Sequence, residues 1–321
     1  MSDNNLIVVE NLSRNYGNLE AVNDVSFVVK RGEVLGFLGP NGAGKSTTMS
    51  MICGNLAPTS GRITINGLDI LDSPRQAKAH IGYLPEQPPL YRELTVDEYL
   101  KYSANLNRIN RCEIAVAMEK AKQRCGLMQV GGRLVGNLSK GFQQRVGIAQ
   151  AIIHSPAVVV LDEPTVGLDP IQIREIRALI CDLGREHSVI LSTHILPEVQ
   201  MLCNRVQIMH QGRLVLSDSI EGLQRRMQSS SMLVAFQNSP DEQVLENIEG
   251  VEEVETLDVG RFRIHYLPEN NPVETLVESA VNHCWALSEL TPEKMSLEQV
   301  FVDITRAEVD EPMKTTETEA L

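Results

Sequence analysis

Five residues, Val34-Leu35-Gly36-Phe37-Leu38, run directly into Gly39-Pro40-Asn41-Gly42-Ala43-Gly44-Lys45-Ser46, and a segment with apolar residues at Met49, Ile52, Cys53 and Leu56 runs out of it. A G-x-x-x-x-G-K-S string between a strand and a helix leaves few folds open. The glycines let backbone N–H groups turn inward on one point, and the start of the helix adds the positive end of its dipole there. Such a point holds phosphate oxygens. Lys45 is placed to reach the terminal phosphates and the Ser46 hydroxyl to ligate Mg²⁺, with Thr47 next on the helix. The expectation is a nucleoside triphosphate site over Gly39–Thr47.

No Asn-Lys-x-Asp string is present to read a guanine, and Tyr16, in Leu12-Ser13-Arg14-Asn15-Tyr16-Gly17, offers a ring that can stack on an adenine. On its own Tyr16 reads as packing. Basic residues number 29 against 42 acidic ones, a net charge of -13 whose field repels phosphate backbones and argues against nucleic acid as a partner. The six cysteines, Cys53, Cys112, Cys125, Cys181, Cys203 and Cys284, form no C-x-x-C pair and read as reduced, mostly buried thiols. Met1-Ser2-Asp3-Asn4-Asn5 lacks the basic region of a signal peptide, and no apolar run nears the ~18 residues of a membrane helix. Any membrane crossing is therefore expected of another chain.

Two further apolar runs end in chemistry. Val158-Val159-Val160-Leu161 delivers Asp162-Glu163-Pro164. An acid at the C-terminal end of a strand beside a phosphate loop holds Mg²⁺, and the next acid polarises the attacking water, so Asp162 is assigned to the metal and Glu163 to general-base work. Ser188–Thr193 ends in His194, which reaches the same crevice. Leu138-Ser139-Lys140-Gly141-Phe142-Gln143-Gln144-Arg145 places a serine and a glycine at a helix start. That is a second anion-binding arrangement, although in isolation an ordinary N-cap is the better reading.

Short runs at Leu6–Val9, Ser26–Val29, Val34–Leu38 and Ile63–Ile65 read as strands. Helical spacing takes over from Thr95 to Leu127, and strands resume at Ala157–Leu161 and Ser188–Ser192 on either side of a helix over Ile171–Glu186. Arg205–Met209 and Arg213–Leu216 bracket His210-Gln211-Gly212 as a hairpin. Beyond a linker at Ser229–Ser231 the order becomes strand Met232–Gln237, helix Asp241–Glu249, strands near Val254–Leu257 and Arg261–Leu267, helix Pro272–His283 and a strand near Trp285–Leu290. This β-α-β-β-α-β order is that of a ferredoxin-like unit. The domains expected are 1–226 with a helical insertion over about 88–156, an accessory α+β domain at 227–306, and a disordered charged tail at 307–321. Within the accessory domain Leu297, Val300, Phe301 and Ile304 make an apolar stripe that suits a docking helix or the closing of the domain's own core.

The phosphate loop, Leu138-Ser139-Lys140-Gly141-Phe142-Gln143, Leu161-Asp162-Glu163-Pro164, Gly167-Leu168-Asp169-Pro170 and Ser192-Thr193-His194, in that order, resemble an ABC ATPase domain over roughly Leu6–Gln224. The resemblance implies an α/β P-loop NTPase with a mixed sheet and an inserted helical subdomain, binding and hydrolysing Mg²⁺·ATP. It implies that Ser139 and Gly141 contact the γ-phosphate held by an opposite subunit, that Asp169 belongs to a loop signalling across that interface, and that His194 contacts the γ-phosphate. One motif set per chain implies a homodimer, or a heterodimer with a related ATPase, on the cytoplasmic face of the cell membrane beneath a transmembrane permease. Lys140 and Phe142 depart from the usual LSGGQ. In Ile81-Gly82-Tyr83-Leu84-Pro85-Glu86-Gln87 the place of the family's metal- or water-binding glutamine falls on Glu86 with Gln87 next, and either serves. These departures, Ile81–Tyr91 and Ser296–Thr305 resemble ATPases of ABC-2-type exporters, including drug-resistance and gliding-motility-like members. A soluble ABC ATPase acting on nucleic acid or ribosomes is the alternative; the two motif sets or long coiled coil usual in such proteins are absent.

Overall fold

The computed structural model describes residues 4–226, 231–267 and 269–293, and the chain divides into two compact units, Met1–Ile220 and Glu221–Leu321. The first begins with a long antiparallel hairpin, β1 (Asn5–Tyr16) and β2 (Leu19–Lys30), followed by β3 (Val34–Leu38), α1 (Lys45–Ile52), β4 (Ser60–Ile65), β5 (Leu68–Asp69), α2 (Pro74–Lys78) and β6 (Ile81–Leu84). Three helices then intervene, α3 (Val96–Leu106), α4 (Ile114–Cys125) and α5 (Lys140–Ile152). After them come β7 (Val158–Asp162), α6 (Pro170–Gly184), β8 (Ser188–Thr193), α7 (Leu196–Leu202), the hairpin β9 (Arg205–His210) and β10 (Arg213–Ser219), and α8 (Ile220–Arg226), which runs across the division between the units.

Six strands form one sheet in the order β10-β9-β3-β8-β7-β6, parallel except for β10. Every residue of β3, β7 and β8 is buried, as expected of continuous Val/Ile/Leu runs covered on both faces. A second sheet, β2-β1-β4-β5, is antiparallel. Register fixes the functional edge: Leu38 pairs with Thr193, and Asp162 with Ser192. Gly39, Glu163 and His194 therefore leave the sheet at one end, in neighbouring positions.

The helical insertion opens with a capping box, in which Thr95 Oγ1 accepts from the Glu98 amide (3.2 Å) and Glu98 Oε2 accepts from the Thr95 amide (2.8 Å). Val96, Leu100 and Ala104 on α3, Ala121 and Cys125 on α4 and Val146 and Ala149 on α5 share one apolar core with the sheet residues Leu84, Val159 and Leu191. The insertion is thus packed onto the sheet edge that it interrupts.

In the second unit, β11 (Ser231–Phe236), α9 (Glu242–Glu246), β12 (Val251–Asp258), β13 (Arg261–Tyr266), α10 (Val273–Asn282) and β14 (Leu287–Glu293) make an antiparallel sheet in the order β12-β13-β11-β14. This is the ferredoxin-like arrangement. Alternate residues Met232, Val234, Phe236, Phe262, Ile264 and Tyr266 face Leu245, Leu276 and Trp285 in a separate core.

Three expectations change. Of the six cysteines, Cys112, Cys181 and Cys284 are exposed and Cys203 is half-buried; Cys112 sits in the turn before α4 and Cys284 in a turn with φ 55°, both outside the cores. Trp285 is packed in the small core but precedes its strand, because Ala286 takes φ 53° and delays β14 to Leu287. The helix read over Asp241–Glu249 spans Glu242–Glu246. Ser229, Ser230, the stripe Leu297–Ile304 and the tail 307–321 lie outside the described residues.

Candidate functional site

The phosphate loop follows β3 and ends at Gly44, the N-cap of α1, with φ 101°. No other residue type suits it there. A Cβ at Gly44 would also stand 2.6 Å from the Ala21 carbonyl oxygen, and one at Gly39 would stand 2.4 Å from that of Met209. The loop is therefore held backbone to backbone between β2 and the β9–β10 hairpin. Lys45 Nζ donates to the carbonyls of Gly39 (2.8 Å) and Pro40 (3.1 Å), which folds the loop around its own lysine. A cleft of about 580 Å³ opens over it, with Asn41, Lys45, Glu86, Glu163, His194 and Gln211 among its walls.

Glu163 is the most constrained group in this cleft. It takes φ 48°, a left-handed conformation costly for a residue with a side chain, and its amide donates to the Ser192 carbonyl (3.0 Å) across the sheet. One carboxylate oxygen, Oε2, accepts from His194 Nδ1 at 3.0 Å. The other, Oε1, is buried with no hydrogen-bond partner, 3.6 Å from Lys45 Nζ. Burial pushes the Glu163 carboxyl above its ordinary range, opposed by the charges of His194 and Lys45. A buried carboxylate oxygen with a free lone pair at a phosphate cleft is poised to accept a proton.

Below His194, Thr193 Oγ1 donates to Glu198 Oε2 (3.0 Å), and Arg177 Nη2 lies 3.1 Å from Glu198 Oε1. Glu198 is fully buried, so the turn carrying His194 is anchored from beneath. Ser46 Oγ donates to Asp162 Oδ1 at 3.2 Å, and Asp162 is almost wholly buried. Two hard oxygen donors side by side suit Mg²⁺ held by one or two protein oxygens together with phosphate. Glu86 also lines the cleft, whereas Gln87 is not among the lining residues.

The remaining predicted residues lie elsewhere. Ser139 caps α5, and Asp169 caps α6 by accepting from the amides of Ile171 (3.0 Å) and Gln172 (2.9 Å); neither they nor Gly141 line this cleft. Tyr16 is exposed at the tip of the first hairpin with the Arg14 guanidinium over its ring at 4.8 Å, and Leu19, Glu20 and Ala21 line the cleft instead. Gln211 and Gly212 were not anticipated. Gly212 donates to the Ala43 carbonyl (3.0 Å), and a glycine in a hairpin tip was the available signal.

A family model described as ABC transporter matches residues 22–166. The ABC transporter ATP-binding protein NatA of Bacillus subtilis (strain 168) is 40% identical over 220 residues, covering 68% of this chain and 89% of that protein. The chain belongs to the ATP-binding proteins of ABC transporters. The bacitracin transport ATP-binding protein BcrA of Bacillus licheniformis is 38% identical, with 69% and 72% of the two chains covered. A solved ATP-binding subunit of an ABC transporter superposes with a TM-score of 0.63 at 33% identity, over 69% of this chain and 92% of that one. The chain is accordingly the ATP-binding and ATP-hydrolysing subunit of a transporter. Subunits of this kind dimerise and pair with transmembrane permeases.

Proposed function

We propose that the chain is the cytoplasmic, membrane-associated ATPase of an ABC-2-type exporter, hydrolysing Mg²⁺·ATP as a dimer and driving a separate permease. BcrA, named for bacitracin transport, supports the transporter reading, and the departures at Lys140 and Phe142 support the ABC-2 exporter subclass. Among the described residues no helix is long and apolar enough to cross a membrane, which agrees with a separate permease. Residues 1–226 act as the ATPase, and the segment 227–306 as an accessory domain without chemistry of its own.

The unpartnered Oε1 of Glu163 carries the catalytic reading. Loop amides over Gly39–Ser46 and the Lys45 ammonium hold the phosphates of ATP. Ser46 and Asp162 hold Mg²⁺, which when bound supplies positive charge to the phosphate oxygens. Glu163 takes the proton of a water whose oxygen attacks the γ-phosphorus, the bond to the β-bridging oxygen breaks, and ADP and phosphate result. His194 orients Glu163 through the 3.0 Å contact and faces the γ-phosphate. Ser139, Gly141 and Asp169, away from the cleft of their own chain, complete the partner's site.

Glu163→Gln tests this, since it keeps shape and removes the base. ATP affinity should hold within about twofold while kcat falls by roughly 10²-fold or more, as for loss of a general base. The variant should accumulate as an ATP-bound dimer in size-exclusion chromatography. Parental turnover in Glu163→Gln would show that another group takes the proton.

A further inference from the structure

Lys140 is the first residue of α5, a helix of 13 residues with no acid in its first turn. A cation there opposes the helix dipole, and the Ser139 cap beside it is long, 3.5 Å from Oγ to the Phe142 amide. Lys140 does not extend away from the protein. It folds over the left-handed Gly167 (φ 70°) in the loop before α6, where a Cβ would stand 2.2 Å from Lys140 Nζ and 3.4 Å from its Cε. The contact has a counterpart. A Cβ at Gly141 would stand 2.6 Å from the side-chain amide carbon of Gln172, in the first turn of α6, and 2.7 Å from its Oε1. Each element thus offers a glycine notch that receives a side chain from the other. Farther along the same two helices, Arg145 and Glu175 are paired at 2.5 Å.

We infer that Lys140 and Gln172, seated on Gly167 and Gly141, latch the start of α5 to the start of α6 within one subunit, so that Ser139, Gly141 and Asp169 reach the partner's nucleotide as a single body. Lys140 is a positioning residue in this scheme. It touches no nucleotide of its own chain and fixes where Ser139 stands relative to Asp169. The inference rests on Ser139 and Gly141 acting across the interface.

The test uses the full chain with ATP. Lys140→Ala should leave ATP affinity and the nucleotide-free Tm unchanged, because the residue is exposed and outside the cleft, yet lower kcat about five- to tenfold; Lys140→Arg should restore most of the rate. Gly167→Ala displaces the lysine and adds backbone strain, so the double variant Lys140→Ala/Gly167→Ala should be no slower than Gly167→Ala alone. Fully additive losses, or parental kcat in Lys140→Ala, would overturn the latch. Ser139→Arg runs in parallel. Parental turnover in Ser139→Arg removes the shared-site reading and the proposal with it, whereas an inactive Ser139→Arg beside a parental Lys140→Ala overturns the latch alone.

Discussion

Glu198 illustrates how much of this site rests on a residue that no motif marks. It is fully buried under the turn carrying His194, holding Thr193 Oγ1 and Arg177 on its two oxygens. Glu198→Ala would leave the largely buried Arg177 guanidinium without its acid and the Thr193 hydroxyl without an acceptor. Removing one member of a buried pair costs about 3 kcal/mol, or roughly 6–12 °C in Tm at 2–4 °C per kcal/mol for a domain of this size. Glu198→Gln, which keeps an oxygen for Thr193, should lose less. Differential scanning calorimetry of the two variants measures the ordering. A larger loss of kcat than of ATP affinity in Glu198→Gln would show that the support is felt at His194. Gly44 marks the opposite case, a residue whose role is explicit in the motif because the φ of 101° and the 2.6 Å approach to the Ala21 carbonyl both demand glycine.

At the scale of elements, α4 is tied to the sheet end opposite the phosphate loop through a neutral histidine. His187 Nδ1 lies 2.7 Å from the Pro156 carbonyl and so carries the hydrogen, which leaves Nε2 to accept from Arg124 Nη1 at 3.2 Å. Arg124 also pairs with Glu186 (3.1 Å). Burial holds the His187 pKa below its ordinary value, as do the Arg124 and Lys120 charges, against the Pro156 hydrogen bond and Glu186. His154 is lowered too, first by burial and then by His187, against its bond to the Ile81 carbonyl. With folded pKa values below the unfolded ~6.5, the unfolded chain binds more protons between the two. Stability is complete above about pH 6.5 and falls as the pH drops toward the folded values, by up to ~1.4 kcal/mol per unit per histidine. Urea midpoints at pH 7.5 and 5.5 should show the drop, and His187→Gln should shrink it; an unchanged slope in His187→Gln would assign the drop elsewhere. None of this was visible in the sequence, which gives no sign that Arg124, Pro156 and His187 meet. What was visible were contiguous features: the loop at Gly39–Ser46, the acids after β7, and His194 after β8, because buried parallel strands announce themselves and their ends carry the chemistry. Gln211, Gly212 and Leu19–Ala21 enter the cleft through hairpins whose turns can be read but whose destinations depend on tertiary packing. β1 and β2 run twelve residues each, well beyond the apolar Leu6–Val9 and Ser26–Val29, because Leu12, Val22 and Val25, set singly among polar residues, carry the pairing and the core along the hairpin.

For the whole molecule the decisive fact is that the two compact units have separate apolar cores. One unit centres on Phe37, Met49, Val160 and Ile190 and on the helical insertion; the other on Met232, Ile264, Leu276 and Trp285. Every residue lining the phosphate cleft lies in Leu19–Gly212, inside the first. Burying such a core stabilises a fold by roughly 25 cal/mol per Å² of apolar surface, and among the described residues each core cluster is drawn from one unit alone. A chain ending at Gln228, which keeps α8, should therefore fold with the ATP affinity of the full chain to within about twofold, a difference under 0.5 kcal/mol. Calorimetry should show the melting of the ATPase unit retained with its pH dependence. Titration with a fluorescent ATP analogue measures the affinity, and ATP-driven dimerisation of the truncated Glu163→Gln chain measures what the accessory domain adds. Weaker dimerisation with intact binding fits an accessory domain that supports assembly or coupling. Loss of binding in a chain that still melts cooperatively would place part of the nucleotide site in the second unit and contradict the division drawn here.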